Sequence, residues 1–306
     1  MRGRIIKGVG GFYEVLCDGK TYFCRARGRF RKEKVTPMIG DWVRFTPNDG
    51  EELGSVDAIE SRANALKRPP IANVDALLLV TAASAPPPDL LLMDKLLLQA
   101  RLIDVSAEMV INKCDLAGEA EIDALVGQYA GAVSAVHRVS AATGTGLEGL
   151  RAAIASRCCC LAGQSGVGKS SLLNALFPSL SLETGSVSQR LERGRHTTRH
   201  VELLMLDGAW SDAAHPARPS DPGAIADTPG FSLLEMEPLE PRLLPGLYPE
   251  FAPYSDKCRF TGCLHQSEPG CAVKDAVADG SIPRGRWERY GEILTELKER
   301  WKNRYD

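Results

Sequence analysis

Along the first sixty residues, apolar and polar positions alternate in short runs broken by glycine. The runs are Ile5-Ile6-Lys7-Gly8-Val9, Phe12-Tyr13-Glu14-Val15-Leu16 and Thr21-Tyr22-Phe23-Cys24-Arg25-Ala26. A period of two predicts half-buried strands, and Asp18-Gly19 between two of the runs is a tight hairpin signal. After a charged stretch at 27–34 come Gly40-Asp41-Trp42-Val43-Arg44-Phe45 and Gly54-Ser55-Val56-Asp57-Ala58-Ile59. Five short strands of this spacing predict an OB-type barrel, and an SH3-like barrel fits nearly as well. Residues 62–70 read as a linker, because paired Pro69-Pro70 stops a strand or a helix.

From residue 74 the pattern changes. Val74-Asp75-Ala76-Leu77-Leu78-Leu79-Val80 is a near-continuous apolar run, as expected for a strand buried on both faces. A proline turn at 86–88, a helix at 90–102, a strand at 108–111, a helix at 120–129, a strand at 132–139 and a helix at 147–155 follow. This alternation predicts an α/β unit: an open, doubly wound, mostly parallel sheet with helices on both faces. Residues 213–222, rich in Pro, Ala, Ser and Asp, read as a flexible insertion. At the end, Trp287, Tyr290, Ile293, Leu294, Leu297 and Trp301 make one stripe of an amphipathic helix over 287–305. Its other face, with Arg289, Lys298, Arg300 and Lys302 among glutamates, reads as solvated. The expected units are 1–62, 63–235 and 236–306.

Composition adds a compartment and a partner class. The 306 residues carry a net charge of −2 and no apolar run long enough to span a bilayer. The basic start lacks an export core, so a cytoplasmic protein with no membrane contact is expected, acting as a monomer. Nine cysteines in that compartment argue for thiols or metal ligands over disulfides. Charge is uneven: residues 1–45 hold eleven Lys/Arg against four Asp/Glu, a local balance of +7. On a small barrel with exposed rings, that is the footprint of a polyanion binder such as RNA.

The apolar run Cys158-Cys159-Cys160-Leu161-Ala162 leads into Gly163-Gln164-Ser165-Gly166-Val167-Gly168-Lys169-Ser170, then Ser171. This fits G-x-x-x-x-G-K-[ST], a loop whose backbone N–H groups wrap phosphate oxygens at a helix N-terminus. Lys169 would neutralise the β and γ phosphates, and Ser170 would sit on Mg²⁺. Asn112-Lys113-Cys114-Asp115 follows a strand, where the Asp115 carboxylate can accept from guanine N1–H and its exocyclic amine. Asn112 would support the base edge and Lys113 would cover the ring, while a backbone N–H at Ser140-Ala141 would read O6. In Ile225-Ala226-Asp227-Thr228-Pro229-Gly230, Asp227 would hold a Mg²⁺ water and Gly230 would sense the γ-phosphate. Thr197 or Thr198 would complete the Mg²⁺ shell. Finally, Cys258-x4-Cys263-x-His265-x5-Cys271 supplies four soft ligands suited to one closed, structural Zn²⁺. With little core of its own, that segment would draw much of its folding free energy from the metal.

In a Ras-like order the phosphate loop precedes N-K-x-D and S-A; here it follows them. The sequence thereby resembles the circularly permuted GTPases. Within them it is most similar to the ribosome small-subunit-dependent GTPase A family. The similarity runs through the basic barrel, Arg68–Asp75, the permuted motifs, Gly194-Arg195-His196-Thr197-Thr198 and the zinc spacing. The resemblance implies GTP and GDP binding and GTP hydrolysis on the maturing small (30S) ribosomal subunit and its rRNA, with release afterwards. Phe231 stands where a Ras-like enzyme has a water-orienting glutamine, so intrinsic hydrolysis is expected to be slow; the resemblance gives that role to His196. Gly166 replaces the asparagine of potassium-activated relatives. The alternative is an RNA-binding scaffold that uses GTP only as a structural ligand.

Overall fold

The computed structural model describes residues 1–47, 53–67, 69–177, 202–206, 223–227 and 239–303. Five strands, β1 (Arg2–Val9), β2 (Phe12–Cys17), β3 (Lys20–Ala26), β4 (Trp42–Thr46) and β5 (Gly54–Ile59), close on themselves in the order β1-β2-β3-β5-β4-β1. The parallel β3–β5 pair and the short helix α1 (Arg29–Lys32) between β3 and β4 decide for the OB-type barrel over the SH3-like one. Alternation works as expected: Ile5, Val15, Cys24, Val43, Phe45 and Val56 fill the interior.

The linker expectation for 62–70 is corrected. Hairpin β6 (Ala65–Lys67) and β7 (Pro70–Ala72) occupies it, with Leu66 and Ile71 buried in the main core. Pro70 is tolerated because it opens an edge strand of a two-stranded sheet, where no ladder N–H is lost. Arg62 locks this hairpin to the barrel, its Nε and Nη2 donating to Asp41 at 2.7 and 2.8 Å, with Asp41 fully buried.

The central sheet is β8 (Ala76–Ala82), β9 (Ser106–Asn112), β10 (Ala135–Arg138), β11 (Cys158–Ala162), β12 (Glu202–Met205) and β13 (Ala224–Asp227), in spatial order β10-β9-β8-β11-β13-β12. All are parallel except β12. Successive residues of β8 serve opposite layers. Leu77 and Leu79 meet α2 (Leu90–Leu102) and α3 (Glu119–Tyr129), whereas Leu78 and Val80 meet α4 (Leu147–Ile154) and α5 (Lys169–Leu176). Cys158, Cys159 and Cys160 are buried packing residues, as read. Barrel and sheet meet edge to edge at Lys7–Glu202, a strand pair reinforced by an ion pair at 3.1 Å.

The C-terminal part holds 3-10 turns at Pro241–Leu247 and Pro249–Phe251, then α6 (Ala252–Ser255), α7 (Ala272–Ala278) and α8 (Arg284–Lys302). Around the cysteine-rich segment 258–271, which contributes Cys263 and Cys271, the residues Leu244, Tyr248, Phe251, Val273, Tyr290, Ile293 and Leu294 form a buried cluster. The rings of Tyr248, Phe251 and Tyr290 lie 5.0 Å apart, two of the three contacts edge-on. Arg289 is not solvated. It and Arg286 reach from α8 to Asp94 of α2, which is fully buried. Asp94 also accepts from Tyr129 OH, and Arg286 pairs with Glu250 as well. The closely surrounding carboxylates keep the buried Arg286 guanidinium protonated against desolvation.

Candidate functional site

Three loops converge at the carboxyl ends of the parallel strands, the place where open α/β sheets bind ligands. The first leaves β11 at Gly163, whose φ of +148° and close approach to the Val80 carbonyl exclude a side chain. It runs through Gln164, Ser165, Gly166 and buried Val167 to Gly168, which caps α5 with φ +93°. A side chain at Gly168 would collide with the Asn112 amide. The α5 N-terminus and Ser170 and Ser171 of its first turn therefore border the loop. Lys169 Nζ lies along the loop, donating to Gly163 O and Gln164 O, both at 2.7 Å.

Asn112 joins the second loop to the other two. It is 1% exposed; its Nδ2 donates to Val167 O at 2.9 Å and its Oδ1 accepts from the Ala141 N–H at 3.1 Å. Lys113 takes a left-handed backbone (φ +61°) and donates to Ala85 O and Gly166 O. The next residues form a 3-10 turn, Cys114–Leu116, that leaves Asp115 exposed at the rim. In the third loop, buried Ser140 accepts at its Oγ from the Thr143 N–H, which holds the turn after β10. The Ala141 N–H donates to Asn112 Oδ1, which braces this turn against the second loop.

Asp227 ends β13, whose register with β11 sets Ala226 beside Cys160, so its backbone reaches the same sheet end. His196, Thr197, Thr198, Gly230, Phe231 and the 213–222 stretch lie outside the described residues.

With that geometry in place, the comparisons are direct. The model of the RsgA GTPase family matches residues 59–237, and that of the RsgA N-terminal domain matches residues 2–55. The chain belongs to the RsgA GTPase family. It is 46% identical, over 99% of both chains, to the small ribosomal subunit biogenesis GTPase RsgA of Geobacillus kaustophilus. To RsgA 1 of Listeria monocytogenes serotype 4b it is 40% identical over the full length of both. Among solved structures it is similar to YjeQ from Thermotoga maritima, with TM-score 0.80 and 33% identity over 97% of this chain and 98% of that one. YloQ, a circularly permuted GTPase, matches with TM-score 0.75 and 36% identity over 98% and 95%. The architecture is thus that of an RsgA GTPase: OB-type barrel, permuted GTPase sheet and C-terminal Cys3His module.

That module carries a second constellation. The ligand atoms of Cys258, Cys263, His265 and Cys271 all lie within 4.8 Å of one another. His265 Nδ1 is 3.6 Å from Cys258 Sγ and 3.4 Å from Cys271 Sγ, and those two sulfurs are 3.9 Å apart. Edges of a tetrahedron around Zn²⁺ with ordinary Zn–S and Zn–N lengths are about 3.5–3.8 Å, so the donor set fits the ion. Burial pushes the Cys263 thiol up to about 12 and lowers the His265 imidazole. Neutral imidazole suits ligation, but the thiolates need a cation to form. His265 Nε2 faces Ser255 Oγ at 3.4 Å, a partner that fixes the ring with Nδ1 inward.

Sequence reasoning missed the residues that tie these sites to the fold: Asp94, Arg286, Glu250 and Arg62. A signal existed for one of them. Asp94 interrupts an otherwise leucine-rich helix at a position where a charge is costly unless paired.

Proposed function

We propose that this chain is a GTP hydrolase of small ribosomal subunit assembly, binding the 30S particle while GTP is intact and leaving after hydrolysis. The observation that carries the reading is Asn112, one buried amide bonded to both the phosphate loop and the S-A turn. It supports three motifs, separated and reordered in sequence, acting as a single guanine-nucleotide site. Membership of the RsgA GTPase family supplies the hydrolase class, and its relatives' names supply the subunit. We assign residues 1–62 to rRNA anchoring, 63–235 to the nucleotide and 236–306 to the zinc module, in a cytoplasmic monomer.

In this mechanism the N–H groups of residues 163–171 and Lys169 hold the phosphates. Asp115 selects guanine, and the Lys113 stem covers the base. Ser170, Asp227 and Thr197 or Thr198 would hold Mg²⁺, which would supply positive charge to neutralise the phosphates. Gly230 senses the γ-phosphate, and His196 orients water once the subunit is bound. The barrel face suits its role: Phe12 and Phe23 are exposed, and the Arg25 guanidinium lies 5.8 Å from the Phe12 ring centre. Co-sedimentation tests the cycle. Retention on purified small subunits is expected with a non-hydrolysable GTP analogue and release with GDP, the bound fraction falling steeply as salt rises. Equal retention under both nucleotides would favour the scaffold reading.

A further inference from the structure

The segment between β8 and α2 is fastened to the nucleotide-site loops at several points. Ser84 Oγ donates to Leu116 O at 3.2 Å, Lys113 Nζ bridges Ala85 O and Gly166 O, and the Asp89 N–H donates to Gln164 Oε1 at 3.1 Å. Asp89 is also the cap of α2, its Oδ1 accepting from the Leu92 N–H at 2.9 Å. The Gln164 side chain is therefore joined to the start of α2.

Further along the same helix, buried Asp94 accepts from Arg286 at 2.6 Å and from Arg289 at 2.7 Å. Beside those arginines on α8, Trp287 Nε1 donates to His265 O at 2.7 Å and Tyr290 OH to Leu264 O at 2.6 Å. The phosphate loop and the Cys3His loop are thus the two ends of one run of helices and hydrogen bonds. Its central joint is a buried charge cluster, which holds one geometry or breaks and does not deform gradually.

We propose that Gln164 and Arg289 are positioning residues at the two ends of this lever. Docking of the Cys3His module through Arg289 and Asp94 sets α2, and α2 sets Gln164 and the phosphate loop. The module thereby tightens diphosphate binding, and by reciprocity bound nucleotide tightens the module. The inference rests on reading 163–170 as a nucleotide site. It differs from γ-phosphate sensing through Gly230, because it acts on GDP as well. GDP is therefore the probe that isolates it.

The test uses the full chain and a fluorescent N-methylanthraniloyl GDP. Arg289→Ala is expected to weaken GDP binding about 5- to 10-fold, a usual size for coupling between sites, although Arg289 touches no residue of the loop. Gln164→Ala should weaken it comparably, and the double variant should be no weaker than the worse single one. Zinc content is measured in each variant. Unchanged GDP affinity in Arg289→Ala, or factors that multiply in the double variant, would overturn the lever whether or not zinc is retained. Should Arg289→Ala not fold, Tyr290→Phe, which loses only the hydroxyl on Leu264 O, takes its place. A weakening that adds nothing further in a Gln164→Ala background supports the lever, and wild-type affinity overturns it. Failure of the wild-type chain to bind the probe at all would instead remove the nucleotide reading.

Discussion

Asp115→Asn is expected to lower affinity for GTP by on the order of 10²- to 10³-fold and to raise affinity for xanthosine triphosphate. In the proposed site the carboxylate would accept from both guanine N1–H and the exocyclic amine, and the amide would replace one acceptor with a donor that faces a donor. Leaving such polar groups mismatched in a desolvated contact costs several kcal/mol on the scale of hydrogen-bonded specificity sites. Xanthine carries a carbonyl where guanine carries the amine, so the new donor finds a partner there. The structure gives the substitution a firm frame: Cys114 N–H donates to Val139 O and Leu116 N–H to Lys113 O, fixing the turn that carries Asp115. The side chain is exposed and bears no fold, so the variant should unfold as wild type does. Competition of both triphosphates against labelled GDP is the measurement. An unchanged preference for GTP would remove Asp115 from base recognition.

Cys263→Ser should abolish stoichiometric zinc. Closed four-ligand sites bind Zn²⁺ with about 10–16 kcal/mol of apparent free energy at neutral pH, and one lost thiolate opens the shell to water. The damage should be local. The loop bearing Cys258, Cys263, His265 and Cys271 loses its order, while α8 stays docked through Arg286, Arg289 and the Tyr248–Phe251–Tyr290 cluster. Metal analysis and amide hydrogen exchange of the purified variant would check both parts. One tightly held zinc in Cys263→Ser would contradict the ligand assignment, and exchange-competent amides throughout α8 would contradict the local extent.

Much of this protein was legible before its coordinates. The short run at Phe12–Cys17, bounded by glycine turns, and the two-sided apolar run at Ala76–Ala82 were placed as strands by length, flanks and pattern together. The phosphate loop and the Cys3His spacing were legible because their chemistry fixes residue type and separation together. The β6–β7 hairpin was not, since Pro69-Pro70 argues against strands everywhere except at an edge. Arg289 was misread for a related reason: in sequence it sits among alternating charges, and only tertiary packing brings it against Asp94, 195 residues away. The engagement of the Ala141 N–H by Asn112 was invisible too, because backbone donors carry no sequence signature. What sequence conveys poorly here are the joints between units, which depend on the unit at the other side.

The central claim, a guanine-nucleotide switch driven by the small subunit, is tested most directly by single-turnover cleavage of GTP with and without purified small ribosomal subunits. The account predicts slow cleavage alone and acceleration on the order of 10²-fold or more with subunits, the scale of a positioned general acid or base. His196→Ala should remove most of that acceleration while nucleotide and subunit binding persist. Cleavage at the same rate with and without subunits would contradict it and leave a scaffold that binds GTP without using it.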